Sequence, residues 1–211
     1  MSYASQQLSD YLEALVPPRD AQLQEMEAFA TRENFPIIGP AAGHFCYLIA
    51  RLAGARRVFE LGSGYGYSTA WFARAVKENG GGEVFHTVWD EGLSARARNH
   101  LDALGYGGLV RFHVGEAVEA LSATEGHFDL IFNDIDKSGY PASIGVIAKK
   151  LRPGGVLLID NMLWGGRVLD EADTGEATEA IRETANLLAT SDEWITSLVP
   201  IRDGLSVAIR R

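Results

Sequence analysis

The sequence predicts an α/β domain in which helices cover both faces of a mostly parallel sheet. From residue 54 onward, short apolar runs rich in valine, isoleucine and phenylalanine alternate with helical segments. Such alternation requires crossovers that keep neighbouring strands parallel. The last two apolar runs are separated only by residues 200–204. Because that connection is too short for a helical crossover, these two runs must form an antiparallel hairpin.

The elements follow in a simple order along the chain. Residues 1–53 are helical in pattern, since apolar side chains recur at helical spacing and Pro17-Pro18 divides the first two helices. A turn-rich segment at 35–40 precedes a third helix, expected at 42–53. The core, residues 54–211, carries the strands, and the last helix is expected at 178–189. The predicted strands are 57–61, 84–88, 110–114, 128–132, 156–159, 194–199 and 205–209.

The size, charge and apolar content of the chain argue against several classes of function. With 211 residues and 46% hydrophobic content, the chain has the size of one domain, 1–211, in which 1–53 cover a core of 54–211. The formal net charge of −9 argues against broad attraction to nucleic acid or anionic membrane. No uncharged apolar run is long enough to span a bilayer, and Cys46 has no second cysteine to pair with. We therefore expect a cytoplasmic protein with a small-molecule substrate, no nucleic-acid partner and no membrane partner.

A glycine-rich loop follows the first strand. Gly62 and Gly64 allow the backbone to turn tightly and approach a ligand, and Ser68 is placed to cap the helix expected from residue 69. The third glycine of a dinucleotide fingerprint would fall at Tyr67, so pyrophosphate binding is disfavoured. Glu60 ends the buried strand, and a buried carboxylate needs a partner. A glycine turn alone would fit any α/β fold.

Four polar residues follow two neighbouring strands. Asp134 and Lys137 come after the fourth strand, and Asp160 and Asn161 come after the fifth. Ligands bind at the carboxyl ends of strands in open α/β sheets, so these groups are expected to serve chemistry. Three oxygen donors suit Mg²⁺ or Ca²⁺, and a lysine beside them suits proton transfer. Taken singly, Asp134 is also compatible with a helix cap and Lys137 with a surface charge.

These motifs, with others spread almost end to end, carry a family resemblance. They are Ile38-Gly39-Pro40 with Gly43, residues 59–68, Gly115-Glu116-Ala117, residues 133–137 with Tyr140, residues 151–155, residues 160–164, and Asp203-Gly204-Leu205. Together they resemble the cation-dependent O-methyltransferases, the family that contains catechol and caffeoyl-CoA O-methyltransferases and small bacterial relatives. The resemblance implies a Rossmann-like class I methyltransferase fold with seven strands, and an S-adenosylmethionine (SAM)-dependent O-methyltransferase acting on a catechol-like or other vicinal-oxygen acceptor. A homodimer is also expected.

The same resemblance assigns the acceptor half of the site. It implies that Asp134, Asp160 and Asn161 ligate Mg²⁺, with Ca²⁺ or Mn²⁺ as alternatives, and that Lys137 accepts or stabilises the proton lost from the attacking oxygen. Asp136 either orients Lys137 or caps the following helix, and it stays outside the metal shell. Tyr140 and Trp164 are expected to border the acceptor pocket, although Trp164 would also serve as a core anchor for its loop.

For the cofactor half, the resemblance implies contacts with a larger set of residues. Val88 stands where the family places an acid that binds the ribose, so Asp90 either reaches the ribose or caps a helix. Trp89 either stacks on the adenine or packs at the sheet edge. Glu116 stands where the family usually has aspartate. The expected cofactor residues are Ile38, Glu60, Gly62, Gly64, Ser68, Trp89, Asp90, Glu116, Ala117 and Asp134.

Two other functions stay open at this point. Some small bacterial relatives that the chain resembles methylate a hydroxylated uridine in tRNA, and a cluster of arginines on one face would favour that target. Those arginines are Arg51, Arg56, Arg57 and Arg74. The substitution of Val88 for an acid instead raises the alternative of a non-catalytic protein with impaired cofactor binding.

Overall fold

The computed structural model describes residues 6–211, and within them seven strands form one mixed sheet. The strands are β1 (Arg57–Leu61), β2 (Glu83–Val88), β3 (Val110–Val114), β4 (Phe128–Asn133), β5 (Leu151–Ile159), β6 (Trp194–Val199) and β7 (Leu205–Arg210). Their order is β3-β2-β1-β4-β5-β7-β6. The first five pair in parallel, whereas β7 runs antiparallel to both β5 and β6. The predicted fold class and the C-terminal hairpin are confirmed.

Helices lie between the strands and ahead of β1. They are α1 (Gln6–Ala14), α2 (Ala21–Glu33), α3 (Gly39–Leu52), α4 (Tyr67–Glu78), α5 (Glu91–Ala103), α6 (Ala117–Ala123), α7 (Tyr140–Lys150) and α8 (Glu176–Thr190). Helix α3 begins at Gly39, before the expected residue 42, because Pro40 fits the first turn of a helix. Of the helices in this part of the chain, none is long and apolar enough to cross a bilayer.

Each face of the sheet has its own apolar core. Val58 and Phe132 point to one face, where they cluster with Met26 of α2 and Cys46 of α3. The side chains that alternate with them, such as Phe59, point to the other face and pack against α6, α7 and α8. Alternate residues of a strand project to opposite faces, so these strands are apolar throughout because both faces are covered.

The register of the central strands places the candidate site. Leu61 of β1 is level with Asn133 of β4, and Asn133 is level with Ile159 of β5. The ladder continues one residue further, because Asp134 N donates to Leu61 O over 2.8 Å and Asp160 N donates to Asn133 O over 3.2 Å. The three chain segments that leave these strands therefore start side by side at one edge of the sheet.

A glycine controls how closely α3 approaches α4. A Cβ atom on Gly43 would lie 2.3 Å from Nε1 of Trp71, which is fully buried in α4. Such a distance is well inside van der Waals contact, so the two helices pack at a separation that only glycine permits at this position.

We predict that Gly43→Ala lowers the free energy of unfolding by about 1–3 kcal/mol, because overpacking a tight core forces neighbouring atoms to move. Urea denaturation monitored by tryptophan fluorescence measures the change. The control is Gly145→Ala in α7, where an added Cβ meets no atom within 4 Å. Alanine is the better helix former, so this variant should be neutral or slightly more stable. Equal unfolding midpoints for the two variants would contradict the packing role of Gly43.

Candidate functional site

A cavity of about 700 Å³, here called the site cavity, opens at the carboxyl ends of the five parallel strands, β1 to β5. Its size is that of a small-molecule site, and its position is where ligands bind in open α/β sheets. Every one of the expected metal ligands borders it, as does Lys137. A neighbouring pocket of about 200 Å³, here called the loop pocket, shares Pro36, Ile37, Gly62 and Asp134 with it.

The glycine loop forms one wall of the loop pocket. Gly62 has a φ of +85°, and a Cβ there would lie 2.4 Å from the carbonyl oxygen of Asp134. Helix α4 begins at Tyr67, with Gly66 at its N-cap in the left-handed conformation, so the expected cap at Ser68 lies within the first turn instead. Gly64 and Ser68 both line the loop pocket, together with Ile38. Because Gly62 has no side chain, the backbone of the loop lies directly against the end of β4, which carries Asp134.

Glu60 lies fully buried behind this loop. Burial raises the pKa of its carboxyl to about 7, and interactions with the hydroxyls of Ser68, Thr69 and Ser63 oppose that rise in part. Thr69 donates a hydrogen bond to Oε2. In the described part of the chain Oε1 has no hydrogen-bond partner. Glu60 is thus held one layer behind the pocket, while Ser63 and Ser68 form the wall in front of it.

Lys137 is fixed by three acceptors. Its Nζ donates to Asp134 Oδ1 over 2.7 Å, to the hydroxyl of Tyr140 over 2.9 Å, and to the carbonyl of Ile135 over 3.3 Å. The Tyr140 hydroxyl in turn donates to the backbone carbonyl of Asp160 over 3.0 Å. Tyr140 is fully buried and does not line the site cavity. The expectation that it borders the acceptor pocket is therefore wrong, because its ring lies behind the lysine. Tyr140 links the ends of β4 and β5.

Asp160 is a buried carboxylate with one oxygen left over. Burial raises its pKa, the nearby Asp134 adds to the rise, and Arg202 opposes it. Its Oδ2 accepts a hydrogen bond from Arg202 Nη1 over 3.0 Å. Its Oδ1 is buried and has no hydrogen-bond partner among residues 6–211. An unpaired buried carboxylate oxygen is unfavourable, so this atom fits a cation that binds from the cavity.

Asn161 is oriented by Asp203. The Asn161 Nδ2 donates to Asp203 Oδ2 over 3.2 Å, and the backbone N of Gly165 donates to Asp203 Oδ1 over 2.6 Å. Because its amide nitrogen is engaged, the carbonyl oxygen of Asn161 remains to serve as a ligand. Asn161 itself has a φ of +60°, which asparagine tolerates better than most residues.

The donor set expected for the metal contains only two carboxylates. Within the described chain, no group of three or more histidine, cysteine, aspartate or glutamate side chains is arranged to hold a metal ion. Asp134, Asp160 and Asn161 nevertheless border the same cavity, and their oxygens are of the type that Mg²⁺ and Ca²⁺ prefer. The residues present therefore fit a hard divalent cation with two carboxylates and one carboxamide.

The ends of β2 and β3 form the opposite wall of the site cavity. Val88, Trp89 and Ala117 line it, and Trp89 is 70% exposed, so Trp89 is not packed into the sheet edge. Asp90 accepts from Leu93 N over 2.7 Å and caps α5. Glu116 likewise accepts from the backbone N of Glu119 and caps α6. Both acids therefore cap helices. For Asp90 this is one of the two roles that the sequence left open, the other being a contact with the ribose.

The wall of the site cavity contains residues that the sequence predicted and others that it did not. Trp164 lines the cavity as expected, and Asp136 lines it beside Lys137. Arg202 lines it too, as does Glu176 at the start of α8, and neither was expected there. Arg202 and Asp203 belong to the turn between β6 and β7. Asp203 belongs to a motif of the family resemblance but was given no role in the site, and the only signal for Arg202 was its charge in a short turn, which most hairpins would place in solvent.

Comparison with known proteins adds a second line of evidence. A model of a family described as O-methyltransferase matches residues 13–211. The chain is 33% identical over 181 residues to a catechol O-methyltransferase of Niastella koreensis, covering 82% of this chain and 81% of that protein. Solved structures with a similar fold include an O-methyltransferase from Bacillus cereus in complex with SAH, with 27% identity, a TM-score of 0.87 and 97% of each chain covered. Another is TomG of Streptomyces achromogenes, an O-methyltransferase involved in tomaymycin synthesis and solved with SAM, at 26% identity and a TM-score of 0.86 over 97% of this chain and 96% of that one.

We predict that Glu60→Gln makes the ligand-free protein more stable at pH 8, by roughly 1–3 kcal/mol. A carboxyl whose pKa rises from 4.5 to about 7 on folding takes up a proton, so its contribution is fully present below pH 4.5 and lost as pH rises to about 7. The difference between variant and wild type should therefore shrink at pH 5. Urea unfolding at both pH values measures it.

The control for this prediction is Glu78→Gln, because hydrogen bonds from Tyr47 and Arg74 lower the pKa of Glu78 despite partial desolvation. That substitution should give no gain in stability at pH 8. A Glu60→Gln protein that is no more stable than wild type at pH 8 would contradict the burial of an ionised carboxylate.

Proposed function

The chain belongs to the O-methyltransferase family and is a SAM-dependent O-methyltransferase, and we propose that it methylates a small catechol-like or other vicinal-oxygen acceptor with the help of a divalent cation. The observation that supports this proposal most is the buried Asp160 Oδ1, which faces no hydrogen-bond donor in residues 6–211. Asp160 borders the same cavity as Asp134 and Asn161. A cation there would satisfy it.

The proposed ligands are Asp134, Asp160 and Asn161. When bound, a divalent cation in this position would lower the pKa of an acceptor hydroxyl and orient two neighbouring acceptor oxygens. The chain itself fixes the ligands: Asp203 holds the amide of Asn161, and Lys137 holds one oxygen of Asp134. Mg²⁺ is the first choice because the donors are all oxygens, and Ca²⁺ or Mn²⁺ would suit the same set.

Lys137 is the proposed catalytic residue. Its Nζ stands at the cavity between Asp134 and the buried Tyr140 hydroxyl, so its position is set before the acceptor arrives. As the acceptor oxygen takes the methyl group it loses a proton: a neutral Lys137 amine would accept that proton at Nζ, whereas a charged Lys137 would stabilise the negative charge that the departing proton leaves on the acceptor oxygen. Pre-positioning of the ammonium and the carboxylates supplies much of the rate, since the reacting groups need not search for one another.

SAM would extend from the loop pocket to the wall of the site cavity that the ends of β2 and β3 form. Gly62 and Gly64 let the backbone approach the cofactor, and the Ser63 and Ser68 hydroxyls in front of Glu60 face its cationic aminoacyl end. The Trp89 ring, which is exposed and lines the cavity together with Ala117, would stack on the adenine. Oδ1 of Asp90 caps α5, and its Oδ2 would be the oxygen that reaches the ribose.

The arginines bear on the choice between a small acceptor and tRNA. Arg51 and Arg74 both pair with Glu78. Arg57 starts β1, and Arg56 precedes it, at the end of the sheet opposite the site cavity. None of these four arginines lines the site cavity, and this supports a small-molecule acceptor over RNA.

We expect chelation by EDTA to abolish methyl transfer and Mg²⁺ to restore it, because the proposed cation activates the acceptor oxygen. Transfer from labelled SAM to a panel of catechols, hydroxycinnamoyl thioesters and undermodified tRNA measures both the metal requirement and the acceptor. Calorimetric titration of SAM in EDTA is the control. SAM should still bind, because Asp160 and Asn161 are not among the residues expected to contact the cofactor. Full activity in chelator would rule out the metal role.

Lys137→Ala should reduce kcat by at least about 10²-fold, a typical contribution of a positioned acid or base. Its Kd for SAM should change little, because the lysine lies on the acceptor side of the cavity. Lys149→Ala, on the exposed face of α7, is the matched control and should leave kcat unchanged. An unchanged kcat in Lys137→Ala would remove Lys137 from the chemical step.

A further inference from the structure

Arg202 occupies an unusual place in the site. It lies in the turn between β6 and β7 with a φ of +51°, a left-handed conformation that few residues other than glycine adopt. From there its guanidinium reaches the site cavity, where Nη1 contacts Asp160 Oδ2 over 3.0 Å. The methyl-transfer chemistry proposed above assigns Arg202 no task.

The two carboxylates of the proposed metal site already have basic partners. Lys137 pairs with Asp134 over 2.7 Å, and Arg202 pairs with Asp160 over 3.0 Å. Asp160 is almost fully buried, so its charge interacts strongly with whichever cation lies next to it. A divalent cation that binds Asp160 must either displace the guanidinium or share the carboxylate with it, and repulsion between the two cations opposes sharing.

We propose that Arg202 is a resident counter-ion that competes with the divalent cation for Asp160 and thereby weakens metal binding. The proposal rests on the metal site put forward above. It explains why a buried Asp160 is tolerated when the metal is absent, since an uncompensated buried carboxylate would be destabilising. It also predicts that the site binds its metal less tightly than its three oxygen ligands alone would allow.

The surroundings of Arg202 allow it to withdraw. Its side chain is 34% exposed, so it need not be buried without a partner when it leaves Asp160. Arg202 also lines a second cavity of about 700 Å³, and the wall of that cavity includes Glu13. Burial raises the pKa of Glu13, and the charges of Arg19 and, more weakly, Arg202 oppose that rise. Glu13 is therefore a carboxylate toward which a displaced guanidinium can turn.

Direct metal binding tests the proposal without any need for the acceptor. Mn²⁺ is titrated into the full chain, and the fall of the free Mn²⁺ signal in electron paramagnetic resonance gives Kd for wild type and for Arg202→Gln, Arg202→Lys and Arg152→Gln. Arg152 is the matched control, because it forms an ion pair with Asp129 over 2.7 Å at the other end of the sheet. SAM titration in EDTA reports whether each variant is folded.

The expected result is that Arg202→Gln binds Mn²⁺ at least tenfold more tightly than wild type. The Kd of Arg202→Lys, which keeps the charge, should stay within about threefold of the wild-type Kd. The Kd of Arg152→Gln should equal the wild-type Kd. If wild type binds Mn²⁺ and Arg202→Gln binds it equally or more weakly, competition by Arg202 is refuted while the metal site stands. If wild type and all variants fail to bind Mn²⁺, the metal site itself is refuted, and the competition with it.

Discussion

The burial of the Asp160 carboxylate is the constraint on which the acceptor half of the site depends. A carboxylate held away from water at the end of β5 is unfavourable unless a cation or hydrogen-bond donors compensate it. Arg202 compensates one oxygen and the other is left without a partner in residues 6–211. The backbone carbonyl of the same residue receives the Tyr140 hydroxyl, which in turn holds Lys137. The proposed cation site and the proposed proton acceptor are therefore built around one residue.

The cofactor half is tied to the acceptor half by a backbone contact. Gly62 lies against the carbonyl of Asp134 so closely that a Cβ would not fit. The pairing of β1 with β4 sets this distance, because Leu61 and Asn133 are level in the sheet. A methyl donor on the glycine loop and an acceptor beside Asp134 would thus face each other across a separation that the sheet fixes. Precise separation of the reacting groups is what accelerates a bimolecular transfer.

Much of this arrangement follows from local sequence patterns, and the exceptions have physical reasons. Asp134, Lys137, Asp160 and Asn161 were predictable because polar residues directly after buried strands must lie at one sheet edge. Tyr140 was misplaced because its ring faces inward from the first turn of α7, a direction that residue type does not reveal. The capping role of Asp90 depends on where α5 begins, and helix ends are poorly determined by sequence. Arg202 could not be found because its partner Asp160 is distant in sequence and meets it only through the docking of the β6–β7 turn.

Diffraction from crystals soaked in Mn²⁺, collected near the manganese absorption edge, would locate the cation directly. We expect one strong anomalous peak within about 2.0–2.3 Å of oxygens from Asp134, Asp160 and Asn161, with the Arg202 guanidinium further from Asp160 than the 3.0 Å in this structure. A peak elsewhere, or none under conditions in which the crystal takes up Mn²⁺, would contradict this expectation.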